Sequence, residues 1–115
     1  MPFRCDVEER TGTAVLRLFG SLDIATALPW KPDVALLAER FASVAVDLAE
    51  LVLIDSSGVG VLISLFKRVR ERGGEVVFAS VNGQPREIFR LLRLDRSLDL
   101  AAGVDEALAQ LKAKA

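Results

Sequence analysis

The chain has 115 residues, 51% of them hydrophobic, and a formal net charge of −1. This length predicts one domain over residues 1–115, with enough apolar material for a core that needs neither metal ions nor disulfides. A nearly neutral chain lacks the positive field that recruits nucleic acid or anionic membranes, and no apolar run approaches the roughly 20 residues of a membrane span.

Cysteine usage bears on the compartment. The single Cys5 cannot form an internal disulfide, and the N-terminal residues lack the charged-then-apolar layout of a signal peptide. Both features favour a cytoplasmic protein in a reducing environment. Cys5 falls within an early strand, so we expect a small core or edge residue and not a reactive thiol.

The first third of the chain predicts a hairpin followed by a helix. Residues 3–9 and 13–19 alternate as two strands around a tight turn. Residues 26–41 follow a helical period, with an expected buried face of Leu28, Val34, Leu37, Ala38 and Phe41. Pro29 and Pro32 suit a first turn and not a helix interior, so we expect a regular helix only from about Pro32. Trp30, between them, either plugs the sheet edge, which we favour, or anchors a partner.

The remainder alternates strands with helices. Strands are predicted at residues 43–48, 75–80 and 98–100, and residues 51–54 form an apolar segment. Helices are predicted from Ser57 to about Arg72, where Gly73-Gly74 ends the helix, and over residues 85–92 and 104–112. This order predicts an α/β fold with a mixed, mostly parallel sheet, an N-terminal antiparallel hairpin and about four flanking helices.

The junction after residues 51–54 is the most informative segment; it reads Asp55-Ser56-Ser57-Gly58-Val59-Gly60. It predicts two serine hydroxyls at the surface, where an apolar segment stops and a helix starts. Free N–H groups and the positive dipole end of a helix tolerate an anion, so a phosphoserine fits there. Alternatively, Asp55, Ser56 or Ser57 merely caps the helix. The two roles can coexist.

The helix after the serines is apolar over more than one face. A buried stripe is expected at Val59, Leu62, Ile63, Phe66 and Val69. Val61 and Leu65 lie off this stripe. Either a neighbouring helix covers them, or they lie open as a docking patch beside Ser56.

A second surface feature is the arginine stripe of the following helix. Arg86, Arg90 and Arg93 share one helix face. The stripe fits an acidic partner surface, although such a face is more often simply solvated.

Enzyme classes are limited by what the chain lacks. It has no histidine, which excludes a Ser-His-acid triad and ordinary histidine metal sites, and one cysteine excludes a thiolate cluster. Gly58-x-Gly60 matches neither a P-loop nor a dinucleotide fingerprint. Asp47 resembles the acceptor aspartate of response-regulator receivers, but the acidic pair and the lysine of those domains are missing. We therefore expect no enzymatic activity, no cofactor and no metal site.

Three segments together resemble STAS domains, and in particular bacterial anti-sigma factor antagonists. Gly20-Ser21-Leu22-Asp23-Ile24-Ala25-Thr26 is similar to their G-x-L-D-x-x-T segment, and Val44-Ala45-Val46-Asp47-Leu48 to their central strand. Asp55-Ser56-Ser57-Gly58-Val59-Gly60 is similar to their D-S-S-G-x-G motif. Gly73-Gly74 also falls at a family turn, so the resemblance covers nearly the whole chain.

The resemblance implies partner switching. In this family the unphosphorylated antagonist binds an anti-sigma factor that is also a serine kinase of the histidine-kinase-like ATPase type. The kinase phosphorylates the serine after the motif aspartate, here Ser56 rather than Ser57, and a PP2C-type phosphatase removes the phosphate. The residues expected at the partner surface are Asp23, Thr26, Asp55, Ser57, Gly58, Val59, Val61 and Leu65.

Two points stay open. Residues 29–32 depart from the uninterrupted helix usual in such domains, which affects partner identity more than fold. The alternative function is a STAS subunit without a phosphorylation switch, docked on a transporter ATPase or built into a stressosome-like scaffold.

Overall fold

A computed structural model, which describes residues 2–114, shows one five-stranded sheet with helices on both faces. The strands are β1 (Arg4–Arg10), β2 (Thr13–Leu22), β3 (Ser43–Ile54), β4 (Glu75–Ala79) and β5 (Asp99–Ala101). They lie in chain order across the sheet; β1 and β2 pair antiparallel, and all later neighbours pair parallel. The predicted α/β class, the hairpin and the mixed sheet are confirmed.

The helices are α1 (Ile24–Arg40), α2 (Ser56–Glu71), α3 (Gly83–Leu91), α4 (Leu94–Ser97) and α5 (Val104–Lys114). The single turn α4 is additional to the four helices predicted from the sequence. No helix within residues 2–114 has the length and apolar character needed to cross a membrane.

The alternation of side chains along the strands divides the core into two layers. The larger layer, which includes Leu16, Val46 and Phe78, packs with residues of α1, α2 and α3. The smaller layer, which includes Val15 and Ala45, packs with Ala107 and Leu111 of α5. Thus α1 and α2 cover the same face of the sheet and lie in contact with each other.

The expected delayed start of the first long helix is wrong. α1 begins at Ile24 and continues through Pro29 and Pro32 to Arg40. The two prolines remove the N–H groups that would donate to the carbonyls of Ala25 and Leu28, but both of those residues are exposed, so water can hydrate the carbonyls.

The predicted buried face of this helix is largely confirmed. Val34, Ala38 and Phe41 are buried and Leu37 is half-buried, whereas Leu28 is 65% exposed and was predicted wrongly. Ala27 and Trp30 complete the buried face of α1. Trp30 packs edge-on against Phe3 with ring centroids 4.9 Å apart, and it is buried. The favoured assignment of Trp30 as a plug is confirmed.

The strand before the serines is longer than predicted. Residues 43–48 and 51–54 belong to one strand, β3, and not to two separate segments. Register shifts against β2 after Arg17 and after Gly20 absorb the irregular part, where Asp47 accepts a hydrogen bond from the N–H of Ala49. The carboxyl end of β3 therefore extends beyond β4, and Asp55 follows it at the carboxyl-terminal end of the parallel strands.

Candidate functional site

The N-termini of α1 and α2 lie side by side at one edge of the sheet. Leu22 and Ile54 are paired at the ends of the parallel strands β2 and β3. An aspartate follows each of them and caps the next helix: Asp23 caps α1 and Asp55 caps α2. The two segments that carry the family resemblance thus form one site.

Asp55 connects the two helices through both of its carboxylate oxygens. Oδ1 accepts the backbone N–H of Gly58 at 3.0 Å, which is an N-cap on α2. Oδ2 accepts the backbone N–H of Ile24, also at 3.0 Å, at the first position of α1. Of the three capping candidates, Asp55 is therefore the residue that caps α2.

The two serines differ in exposure. Ser56 occupies the first position of α2 and is exposed, whereas Ser57 at the second position is half-buried. Their backbone N–H groups make no hydrogen bond within residues 2–114. The site therefore presents an accessible hydroxyl beside two open donors at the positive end of a helix.

Asp23 and Thr26 form a capping box that fixes the start of α1. The Asp23 carboxylate accepts the N–H groups of Ala25 and Thr26, and Thr26 Oγ1 accepts the N–H of Asp23 at 2.9 Å. Thr26 Oγ1 also donates to the carbonyl of Ser21 at 2.8 Å. Both side chains are half-buried, and these bonds give them a structural role that places Ile24 beside Asp55.

Gly58 is required by packing. A Cβ at this position would lie 2.2 Å from the Leu22 carbonyl oxygen and 2.7 Å from Ile54 Cγ1, so only glycine lets α2 start this close to the strand ends. Val59 is 8% exposed and belongs to the core, which agrees with its place in the predicted buried stripe and not with its expected place at the partner surface. At Gly60, by contrast, a Cβ would meet nothing within 4 Å.

Val61 and Leu65 do not form a docking patch. They are 1% and 0% exposed, and both belong to the core layer that includes Ala27 and Val34 of α1. The alternative in which a neighbouring helix covers them is the observed one, because α1 packs against α2 on the same face of the sheet. Their expected place at the partner surface is wrong.

Exposed apolar side chains at the site come from α1 instead. Ile24 is 73% exposed and Leu28 is 65% exposed. Together with Lys31 they border a groove of about 350 Å³ whose other side carries Ser57 and Gly60. Ile24 and Lys31 were not predicted as site residues, although the Asp23–Thr26 capping pattern would have placed Ile24 at the start of the helix.

Gln84 supports the strand that carries Asp55. Its Oε1 accepts the N–H of Ile54 at 2.9 Å, and its Nε2 donates to the carbonyl of Ile54 at 2.9 Å. These bonds satisfy the backbone N–H and carbonyl of Ile54, which lies in the part of β3 that β4 does not reach. No pattern in the sequence identifies Gln84, because the contact joins residues 30 positions apart.

Cys5 lies half-buried on β1 beside Trp30. Burial, assisted by the negative charges of Asp6 and Asp33, raises the pKa of its thiol to about 12. A thiol that stays protonated is a poor nucleophile.

The STAS domain family profile matches residues 4–107, so the chain belongs to the STAS domain family. An anti-sigma F factor antagonist of Paenibacillus polymyxa is 25% identical over an alignment of 114 residues that covers 97% of each protein. An anti-sigma-B factor antagonist of Bacillus subtilis is 24% identical over 102 residues, which are 89% of this chain and 94% of that protein.

A solved structure shares the fold. The Bacillus cell fate determinant SpoIIAA in its phosphorylated form superposes with a TM-score of 0.71 at 21% identity, covering 95% of this chain and 98% of that one. At this identity the likeness establishes the common architecture, in which β3 leads into α2.

Proposed function

We propose that this protein is an anti-sigma factor antagonist that works by partner switching. Unphosphorylated, it binds an anti-sigma factor that is also a serine kinase of the histidine-kinase-like ATPase type. Phosphorylation at Ser56 ends that binding, and a PP2C-type phosphatase restores it. The observation that carries the proposal is that Ser56 is exposed at the first position of α2. Its neighbour Asp55, and not Ser56, caps this helix.

The capping by Asp55 supports Ser56 as the phosphate acceptor. The Asp55 carboxylate caps α2 by accepting the Gly58 N–H, so the Ser56 hydroxyl is not needed as the helix cap. A phosphate there would face the open N–H groups of Ser56 and Ser57 and the positive helix end, which favour an anion. Modification is therefore compatible with an intact fold. Ser57 is half-buried, which makes it the less accessible acceptor.

The docking surface in this proposal is the exposed α1 side of the groove. Ile24 and Leu28 supply apolar anchors within the same groove as Ser57, and Gly60 leaves room for close approach. A standard interface buries about 800 Å² on each partner, and this chain has 6294 Å² of accessible surface. An interface of that size centred on the groove would include Ser56.

Charge gives the switch its direction. A phosphate adds about −1.5 to −2 charges next to Asp55, and Asp23 caps the adjacent helix. An apolar contact that buried Ser56 would then have to desolvate a dianion. A hundredfold loss of affinity corresponds to only about 2.8 kcal/mol. Local repulsion and bulk are sufficient for an effect of that size.

The proposal is tested by incubating the chain with its cognate kinase and ATP and locating the phosphate by mass spectrometry. We expect one phosphate per chain on Ser56. Ser56→Ala should abolish incorporation, and the matched Ser57→Ala variant should retain it. Phosphate on another residue, or no phosphate with a kinase that binds the chain, would contradict the switch and favour the role as a STAS subunit without one.

A further inference from the structure

The arginines of the chain divide into two groups. Those outside residues 83–97 each bind a neighbour through the guanidinium: Arg4, Arg10, Arg17, Arg40, Arg68, Arg70 and Arg72. Arg93 lies between α3 and α4 with a φ of +58°, so it does not continue the helix face of Arg86 and Arg90 as expected. Within residues 2–114, the guanidinium groups of Arg86, Arg90, Arg93 and Arg96 make no hydrogen bond or ion pair. Within the described residues, the arginines without a protein partner are therefore all found between residues 83 and 97.

Two of these free arginines, Arg86 and Arg90, line a pocket of about 510 Å³. The pocket lies beyond the carboxyl ends of the parallel strands β4 and β5, between α3 and α5. The volume is in the range of small-molecule sites. Val81, Phe89 and Leu100 give it apolar lining.

The backbone at the pocket has an uncommon conformation. Ser80, which follows β4 directly, has a φ of +61° although it is not a glycine. Its N–H donates to the carbonyl of Ala101 at 3.1 Å, and this bond ties the ends of the two strands together. Non-glycine residues held in this region cluster at ligand sites.

The remaining charged groups limit the kind of ligand. Asp95 of α4 and Glu106 of α5 also line the pocket, so its two arginines and two carboxylates sum to zero. Glu106 is partly engaged, since its Oε2 accepts the N–H of Ala102 at 3.1 Å. A polyanion would meet these carboxylates, whereas a single negative group could lie against the free guanidinium groups.

We propose that the pocket formed by Arg86, Arg90, Val81 and Leu100 binds a small monocarboxylate with an apolar body. The carboxylate pairs with Arg86 and Arg90, and the body packs on the apolar lining. This site is separate from the serine site and goes beyond the proposed function. Its test needs no kinase, so its failure would leave the proposed switch untouched.

The test is a titration of the isotope-labelled chain with 3-phenylpropionate, followed by backbone amide shifts. We expect saturable shifts at Ser80, Ala102 and Glu106, and at least tenfold weaker binding of the neutral isostere 3-phenylpropanamide. Absence of saturable shifts, equal binding of the amide, or tighter binding of ATP than of the carboxylate would overturn the proposal.

Variants on exposed positions keep the fold and sharpen the test. Arg86→Ala and Arg90→Ala should each weaken binding of 3-phenylpropionate at least tenfold, and the charge-conserving Arg90→Lys should retain most of it. Arg96→Ala is the matched control, because Arg96 is a free arginine outside the pocket. An equal loss in Arg96→Ala and Arg90→Ala would mean that general charge and not the pocket binds the anion.

Discussion

Asp55 and Ile24 join the two helices of the serine site: the Asp55 carboxylate that caps α2 also accepts the first backbone N–H of α1 at 3.0 Å. One side chain thus holds Ser56, on α2, in a set position relative to the exposed apolar side chains of α1. The presentation of the proposed docking surface depends on this carboxylate.

Replacing Asp55 should therefore destabilise the fold. Asp55→Ala removes the acceptor of two backbone N–H groups, and we expect a loss of about 2–3 kcal/mol in the free energy of unfolding. Asp55→Asn keeps one acceptor oxygen, so its free energy of unfolding should lie between those of the parent and Asp55→Ala. Urea unfolding measures both. Glu87→Ala on exposed α3 is the control, expected within about 0.5 kcal/mol of the parent. An Asp55→Ala variant as stable as this control would contradict the bridging role.

The two glycines of α2 should respond in opposite directions to alanine. At Gly58 a Cβ would lie 2.2 Å from a backbone oxygen, so we expect Gly58→Ala to cost about 2–4 kcal/mol. At Gly60 the space is open, and Gly60→Ala should gain about 0.5–1 kcal/mol from helix propensity. Thermal unfolding of Gly58→Ala and Gly60→Ala measures both changes in stability. Equal stabilities would mean that α2 does not start against the strand ends as described.

The exposed apolar residues of α1 should matter for binding and not for folding. Ile24→Ala and Leu28→Ala remove side chains that are 73% and 65% exposed. We expect unchanged unfolding midpoints and at least tenfold weaker binding to the cognate kinase, about 1.4 kcal/mol. Leu91→Ala, at a residue of α3 that is 77% exposed, is the matched control. If Leu91→Ala weakens kinase binding and the α1 variants do not, the docking surface lies elsewhere.

The half-buried Cys5 predicts a loss of stability at high pH. Burial raises the pKa of its thiol to about 12 in the folded chain, from the usual 9.0. The folded state therefore holds the proton more tightly than the unfolded state, so stability should fall as pH rises from about 9 towards 12. Cys5→Ala should flatten this part of the stability curve. At pH 8 iodoacetamide should label the folded chain far more slowly than the unfolded chain, and equal labelling rates would contradict the burial.

The sequence predicts the order of elements well, because strand alternation and helical period are local signals. The predicted start of α1 is wrong, because it follows the rule against interior prolines and takes no account of the Asp23–Thr26 capping pattern. The helix tolerates Pro29 and Pro32 because the carbonyls that they leave free belong to exposed residues. Most of the predicted buried face is confirmed, and only Leu28, which is 65% exposed, was wrongly expected inside.

The site was predicted in part. The segment Asp55-Ser56-Ser57, between an apolar run and a helical pattern, correctly indicates a serine at a helix start. It leaves open which of the three side chains caps the helix. Periodicity cannot tell a docking face from a helix–helix contact. Val61 and Leu65 were therefore wrongly expected at the partner surface, whereas α1 covers them. Gln84 supports Ile54 across 30 positions of sequence and has no local signal.

The most direct test of the switch compares the affinity of the cognate kinase for the unphosphorylated chain and for the chain carrying phosphate on Ser56. We predict at least a hundredfold weaker binding of the phosphorylated form, about 2.8 kcal/mol. Amide shifts of the phosphorylated chain should change only around residues 22–28 and 54–61. Equal affinities for the two forms, together with equal binding by Ser56→Ala and Ser56→Asp, would contradict the account.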